Sequence, residues 1–200
     1  IAATTRPPLL ASLRADGLAM LRAFGIIAMT NAGYYLMFTY VVERRTAEFL
    51  LANTLSLFVV LLAKPLGGWL SDHMGRRRLM IGLTLAGMVL ILPGLWLTLY
   101  GTPAQFFLGQ VLMALPLGMS LGLQGALLVE IFPLRTRVTS MSFAYGTTLA
   151  LTGGTAPLVS AWLVDWLGQP LAPAFYIMMY GVFALLLLWP MHETNRSDLG

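Results

Sequence analysis

Six apolar runs, each close to the length of a bilayer crossing, leave this chain little choice of fold. A spanning helix needs roughly 20 mostly apolar residues, and such runs occupy residues 18–42, 51–70, 79–100, 104–129, 138–163 and 171–189. The helical reading is close to forced, because open strands cannot satisfy their backbone polar groups in hydrocarbon. Apolar residues make up 58% of the 200 and charged residues only 10%, against about a quarter charged in a soluble domain. The expected fold is therefore all-α and integral to a membrane, a six-transmembrane-helix bundle. It divides into a cytoplasmic linker arm at 1–17, a six-helix membrane domain at 18–190 and a cytoplasmic tail at 191–200.

Most of the charges fall between the runs or at their ends. Arg6, Arg14, Arg22, Arg76, Arg77, Arg78, Arg135, Arg137 and Arg196 share one side with both ends of the chain, while Arg44 and Arg45 lie opposite, beside Glu43 and Glu48. Arginine in short loops marks the cytoplasmic side. That predicts a multi-pass protein of the plasma (bacterial inner) membrane with both termini cytoplasmic. Trp69, Trp96, Trp162, Trp166 and Trp189 fall at run ends, where interfacial aromatic belts form. The net charge of +4 is thus topological, and the expected surroundings are a lipid bilayer rather than nucleic acid. Lys64 lies inside the second run, toward its arginine-side end; it either snorkels to the interface or faces a cavity.

Catalysis finds little to work with. Cysteine is absent, which removes disulfides, thiolate metal sites and cysteine nucleophiles. No His-Glu-x-x-His and no paired intramembrane aspartates occur, and His73 and His192 are in loops. No enzymatic activity, metal or cofactor is expected. The chain begins at Ile1 without an initiator Met or a signal-like segment, and reads as a piece of something longer.

Two elements on the arginine side carry most of the information. In Gly68-Trp-Leu-Ser-Asp-His-Met-Gly-Arg-Arg-Arg78, Gly67 and Gly68 let another helix approach closely. Asp72 is placed to cap a neighbouring helix or to pair with an arginine, Gly75 permits a tight turn, and Arg76 and Arg77 follow. The second element is Glu130-Ile-Phe-Pro133 with Arg135 and Arg137. An unpaired carboxylate at that depth is unfavourable, so Glu130 is expected to find an arginine from one of the two loops.

Gly-x-x-Ser-Asp-x-x-Gly-Arg-Arg resembles the loop signature of the major facilitator superfamily, and Glu-x-Phe-Pro-x-x-x-Arg resembles the element before the eleventh span of those transporters. Thr30-Asn-Ala-Gly-Tyr-Tyr-Leu-Met-Phe-Thr-Tyr40, Pro157 through Asp165, and His192-Glu-Thr-Asn195 are similar to the metabolite:proton symporter subfamily, of proline/betaine or organic-acid type. The resemblance covers essentially the whole chain as spans seven to twelve, the C-terminal half of a twelve-helix fold. His73 stands where the family has arginine, and Lys64 where the proline/betaine type has a neutral polar residue.

The resemblance implies secondary active transport of a small carboxylate-bearing solute, a proline/betaine-like osmolyte or an organic acid, by proton symport and alternating access. An exporter or uniporter of the same fold, or a non-transport membrane scaffold, are the alternatives. Transporter sites lie near the midplane on interrupted helices. Asn31, Tyr34, Tyr35 and Phe38 share an arc of about 100° on an ideal helix, offering an amide, hydroxyls and aromatic faces to a carboxylate or an ammonium, or else bonding between helices. The fourth span is expected to break at Pro116-Leu-Gly118, with Gln124 a further candidate contact and Gly122 and Gly125 a packing seam. Tyr145 in the fifth span precedes Gly153-Gly154, where the chain can flex. Expected partners are the solute, a proton and an absent N-terminal six-helix half, which is also expected to carry the proton site. The two charge elements, Gly68, Asp72, Gly75, Arg76, Arg77, Glu130, Arg135 and Arg137, would act as a cytoplasmic gate.

Overall fold

The computed structural model describes residues 15–191, apart from the side chain of Glu48. The arm through Arg14 and the tail from His192, with the readings made on Arg6, Arg14, His192 and Arg196, lie outside the described residues. Six helical stretches run back and forth: α1 (Gly17–Glu43), α2 (Leu50–Met74), α3 (Arg76–Tyr100), α4 (Pro103–Ile131), α5 (Arg137–Leu167) and α6 (Ala172–Leu188). The first five are long and apolar enough to cross a membrane. The 17 residues of α6 rise about 26 Å, just under a hydrocarbon core of about 30 Å.

Local chemistry ends each helix. Gly75, with φ 95°, is the whole connection between α2 and α3, a backbone angle that side-chain-bearing residues rarely adopt. Its N–H donates to the Ser71 carbonyl at 3.1 Å. Because this glycine, and not the first polar residue, terminates α2, the helix continues to Met74, past the expected end at 70. Lys64 therefore lies about 15 Å of helix from the arginine-rich end, far deeper than its sequence context suggests. Thr102 opens α4 with a capping box: Gln105 N–H donates to its hydroxyl at 3.4 Å, and its own N–H donates to Gln105 Oε1 at 2.9 Å. Gly168, at φ 64°, closes α5 in the left-handed conformation.

α4 is the spine. It packs against α2 on one side and α3 on another, and reaches α1, while α1 also packs against α5 and α6. The buried face of α2 is a line of mostly small residues, Ala52, Ser56, Val60, Ala63, Gly67 and Ser71. Against it α4 sets Gly118 and Gly122. A Cβ on Gly118 would stand 2.7 Å from Ala63 Cβ, and one on Gly122 would strike the Lys64 carbonyl. The backbones thus touch, as small-residue seams allow in membranes. Behind the seam, Ile26, Leu36, Met37, Leu95, Phe106 and Leu123 are all but fully buried.

The expected break in α4 does not occur. The helix is continuous from Pro103 to Ile131 with Pro116 buried inside it. Close packing on α2 holds the chain helical even though Pro116 supplies no N–H to the preceding turn. The irregular helices are instead α1, wound as a π-helix over Leu36–Tyr40, and α5, wound so over Leu149–Gly154.

Candidate functional site

At the arginine-rich end, Arg76 opens α3 directly after the Gly75 turn, which throws its guanidinium back over α2 and across to α4. It lies 3.3 Å from Asp72 Oδ1 and forms an ion pair with Glu130, whose side chain is 6% exposed. The expected arginine partner of Glu130 is thus Arg76, and three helices share one charge cluster. Asp72 remains 63% exposed, with lone pairs free to face a further group.

Two other arginines there act as helix caps. Arg77 donates to the carbonyls of Leu188, at 3.0 Å, and Trp189 at the end of α6. Arg137 donates to the Phe132 carbonyl at 3.1 Å, just past the end of α4. A guanidinium is well suited to terminal carbonyls, which carry the negative end of the helix dipole. Arg135 is exposed, and Gly68 is half-buried with Gly122 O 3.9 Å from where its Cβ would be.

In the membrane interior, the candidate solute residues divide. Thr30 brings its hydroxyl to 2.8 Å from Gln124 Oε1, and both side chains are buried; Gln124 ties α4 to α1. Asn31, one residue on, is 7% exposed and its Nδ2 has no hydrogen-bond partner among the described residues. Tyr34 and Tyr35 stand edge to face with centroids 6.0 Å apart, and Tyr34 meets Phe38 at 4.9 Å. Tyr35 reaches α5: a Cβ on Gly153 would lie 2.7 Å from its ring. The two π-wound segments therefore adjoin at Tyr35 and Gly153. π turns widen a helix and recur at functional sites. Tyr145, on α5, is exposed.

A partly open cavity between α1, α3, α4 and α6 is lined by Met29, Thr30, Met80, Met113, Thr84 and Ser120 among others, and by none of Asn31, Tyr34, Tyr35, Gln124 and Tyr145. At about 50 Å³ it is well below the roughly 300–1,000 Å³ of ligand pockets. Thr30, which lines it, links this space to the polar group on α1 and α4.

Several groups escaped the sequence reading. Gln110 is fully buried and donates to Asn53 Oδ1 at 2.9 Å and to the Met37 carbonyl at 3.4 Å, linking α4, α2 and α1. Ser140 donates to Asp16 Oδ2 at 2.6 Å, joining the starts of α5 and α1. Arg45 covers the Phe49 ring at 4.6 Å and donates to the Thr98 carbonyl at 2.9 Å. Polar residues recurring inside apolar runs were the only available signal, and their partners are 53 to 124 residues away.

The profile of the Major Facilitator Superfamily matches residues 18–199. The chain belongs to that superfamily. The six-helix bundle is consistent with half of its fold, and the chain is a multi-pass membrane protein. It is 27% identical over 187 residues to an ectoine/proline transporter of Corynebacterium glutamicum, covering 90% of this chain and 37% of that protein. A citrate-proton symporter of Klebsiella pneumoniae is 30% identical over 185 residues, covering 88% of this chain and 41% of the relative. The proline/betaine transporter of Escherichia coli is 26% identical, at 90% and 37% coverage. The chain thus spans about two-fifths of the length of the curated relatives it matches.

Proposed function

We propose that this chain is the C-terminal half, spans seven to twelve, of a metabolite:proton symporter that carries a small carboxylate-bearing solute across the bacterial inner membrane, with both termini cytoplasmic. The observation that carries the reading is the meeting of two π-wound segments, Leu36–Tyr40 and Leu149–Gly154, at Tyr35 and Gly153. Irregular backbone at membrane depth is tolerated where it is buried in protein or lines a water-filled path, and carriers place their sites on such discontinuous helices. The printed activities of the relatives, proline or ectoine transport and citrate-proton symport, support the same class.

In this reading the solute is held between this bundle and a second six-helix half. Asn31, Tyr34, Tyr35, Gln124 and Tyr145 serve this half's side of the site, Gln124 by fixing α1 on α4. The cluster of Asp72, Arg76 and Glu130, with Gly68, Gly75, Arg77, Arg135 and Arg137 around it, closes the cytoplasmic face when the halves meet there. The proton-carrying residue belongs to the other half.

The complete protein in proteoliposomes tests this. Uptake of labelled proline, glycine betaine or citrate should saturate and should concentrate the solute when an inward proton gradient is imposed. Exchange without gradient-driven accumulation would make the protein a uniporter. No saturable uptake of any of them would overturn the transport reading.

A further inference from the structure

Lys64 carries a charge deep in α2, and no salt bridge among the described residues neutralises it. At 1.5 Å per residue, about 21 Å of helix separates it from Leu50 and about 15 Å from Met74. With a hydrocarbon core of about 30 Å centred on α2, roughly 12 Å separates Lys64 from the nearer boundary, more than its four-carbon stem covers. Lysine at such a depth faces protein interior or a water-filled path and marks a solute or ion route.

Its surroundings argue the same way. Lys64 is exposed on the surface of this bundle, while its carbonyl is pinned against Gly122 of α4. Gly122 is two residues from Gln124, which holds Thr30 of α1, so Lys64 stands level with the polar layer of Thr30, Gln124 and Asn31. That layer contains a second donor without an acceptor, the buried Asn31 Nδ2. An ammonium and an amide N–H left unpaired at one depth have one chemical complement: a group rich in acceptors and negative in charge.

We infer that Lys64 is the cation that receives the carboxylate of the carried solute, and that the preferred solute bears net negative charge. The inference rests on the transport reading above. A carboxylate neutralises the ammonium, so a singly charged organic anion leaves a complex without net charge. A tricarboxylate such as citrate brings its further carboxylates protonated or paired with cations elsewhere in the site. A zwitterion leaves its own ammonium to be accommodated as well, so it competes less well at this position.

The complete protein, with any cysteine outside this cysteine-free chain replaced, is assayed in proteoliposomes with labelled citrate and glycine betaine. Lys64→Gln should raise the citrate KM at least tenfold and the betaine KM less than threefold, while Lys64→Arg keeps citrate within threefold. Lys64→Cys should lose citrate uptake and regain it when an aminoethyl thiosulfonate reagent restores an ammonium at that position; a methyl reagent should restore nothing. An unchanged citrate KM in Lys64→Gln overturns the inference while leaving transport intact. Failure of Lys64→Cys to react in the folded protein places the side chain in lipid and also overturns it, whether or not transport is measured. Absence of all uptake by the unsubstituted protein removes the transport reading and this inference together.

Discussion

Arg76 and Glu130 form an ion pair between the first turn of α3 and the last turn of α4, with side chains 19% and 6% exposed. Breaking a buried pair from one side costs up to about 3–5 kcal/mol, and less here, because Arg76 keeps the exposed Asp72 as a partner when Glu130 is removed. Glu130→Ala should therefore lower the thermal stability of the detergent-purified complete protein. Replacing both residues with apolar ones of similar volume should recover much of the loss. A double substitution as unstable as the sum of the singles would show that the two residues do not act as a pair.

Asp72 shares Arg76 but is 63% exposed, and exposed ion pairs contribute about 0–1 kcal/mol. Asp72→Asn should thus leave the melting temperature nearly unchanged. If the cluster closes one face of a carrier, the same substitution should slow turnover more than it weakens solute binding. Initial uptake rates and equilibrium binding, measured on the same preparation, separate the two; weakened binding at unchanged turnover would refute the gate.

How much of this was legible in the sequence varied with the range of the interaction. The six helices follow from apolar runs, and the Gly75 turn from one residue, because both are local. The partner of Glu130 was readable as a type of residue, since a carboxylate at that depth demands a cation. The π winding itself leaves little composition signal: Leu36–Tyr40 reads as ordinary apolar helix, and Leu149–Gly154 is marked only by Gly153-Gly154 as a place where the chain can flex, because the winding depends on which neighbour each turn meets. Pro116 misled for the converse reason, because its local preference to break a helix is overridden by packing against α2. Lys64 was misplaced because polarity was taken to end α2 where Gly75 does.

Gly122 and Gly125 are three residues apart on α4 and should respond oppositely to alanine. A Cβ at Gly122 meets the Lys64 backbone, whereas one at Gly125 meets nothing within 4 Å. Gly122→Ala should destabilise the bundle by about 1–3 kcal/mol through overpacking. Gly125→Ala should be neutral or stabilise by up to about 1 kcal/mol, since alanine favours a helix interior. Thermal scans of the two variants provide the comparison, and similar shifts in both would mean that α2 and α4 are not in backbone contact at Gly122.

The contact of Tyr35 with Gly153 links the two π-wound segments, and it yields a test that a purely structural role would fail. Gly153→Val should push the Tyr35 ring from its seat, because even a Cβ would come within 2.7 Å of it. Paired with Tyr35→Ala, which opens the space, Gly153→Val should be better tolerated than alone, so the two effects should be non-additive, as contacting residues are. If the junction is only packing, stability should show the rescue and transport should follow stability. If it belongs to the solute path, the double variant should regain its melting temperature yet keep a raised KM, because the tyrosine that faces the solute is still missing. Stability and KM measured on the same three variants distinguish these outcomes.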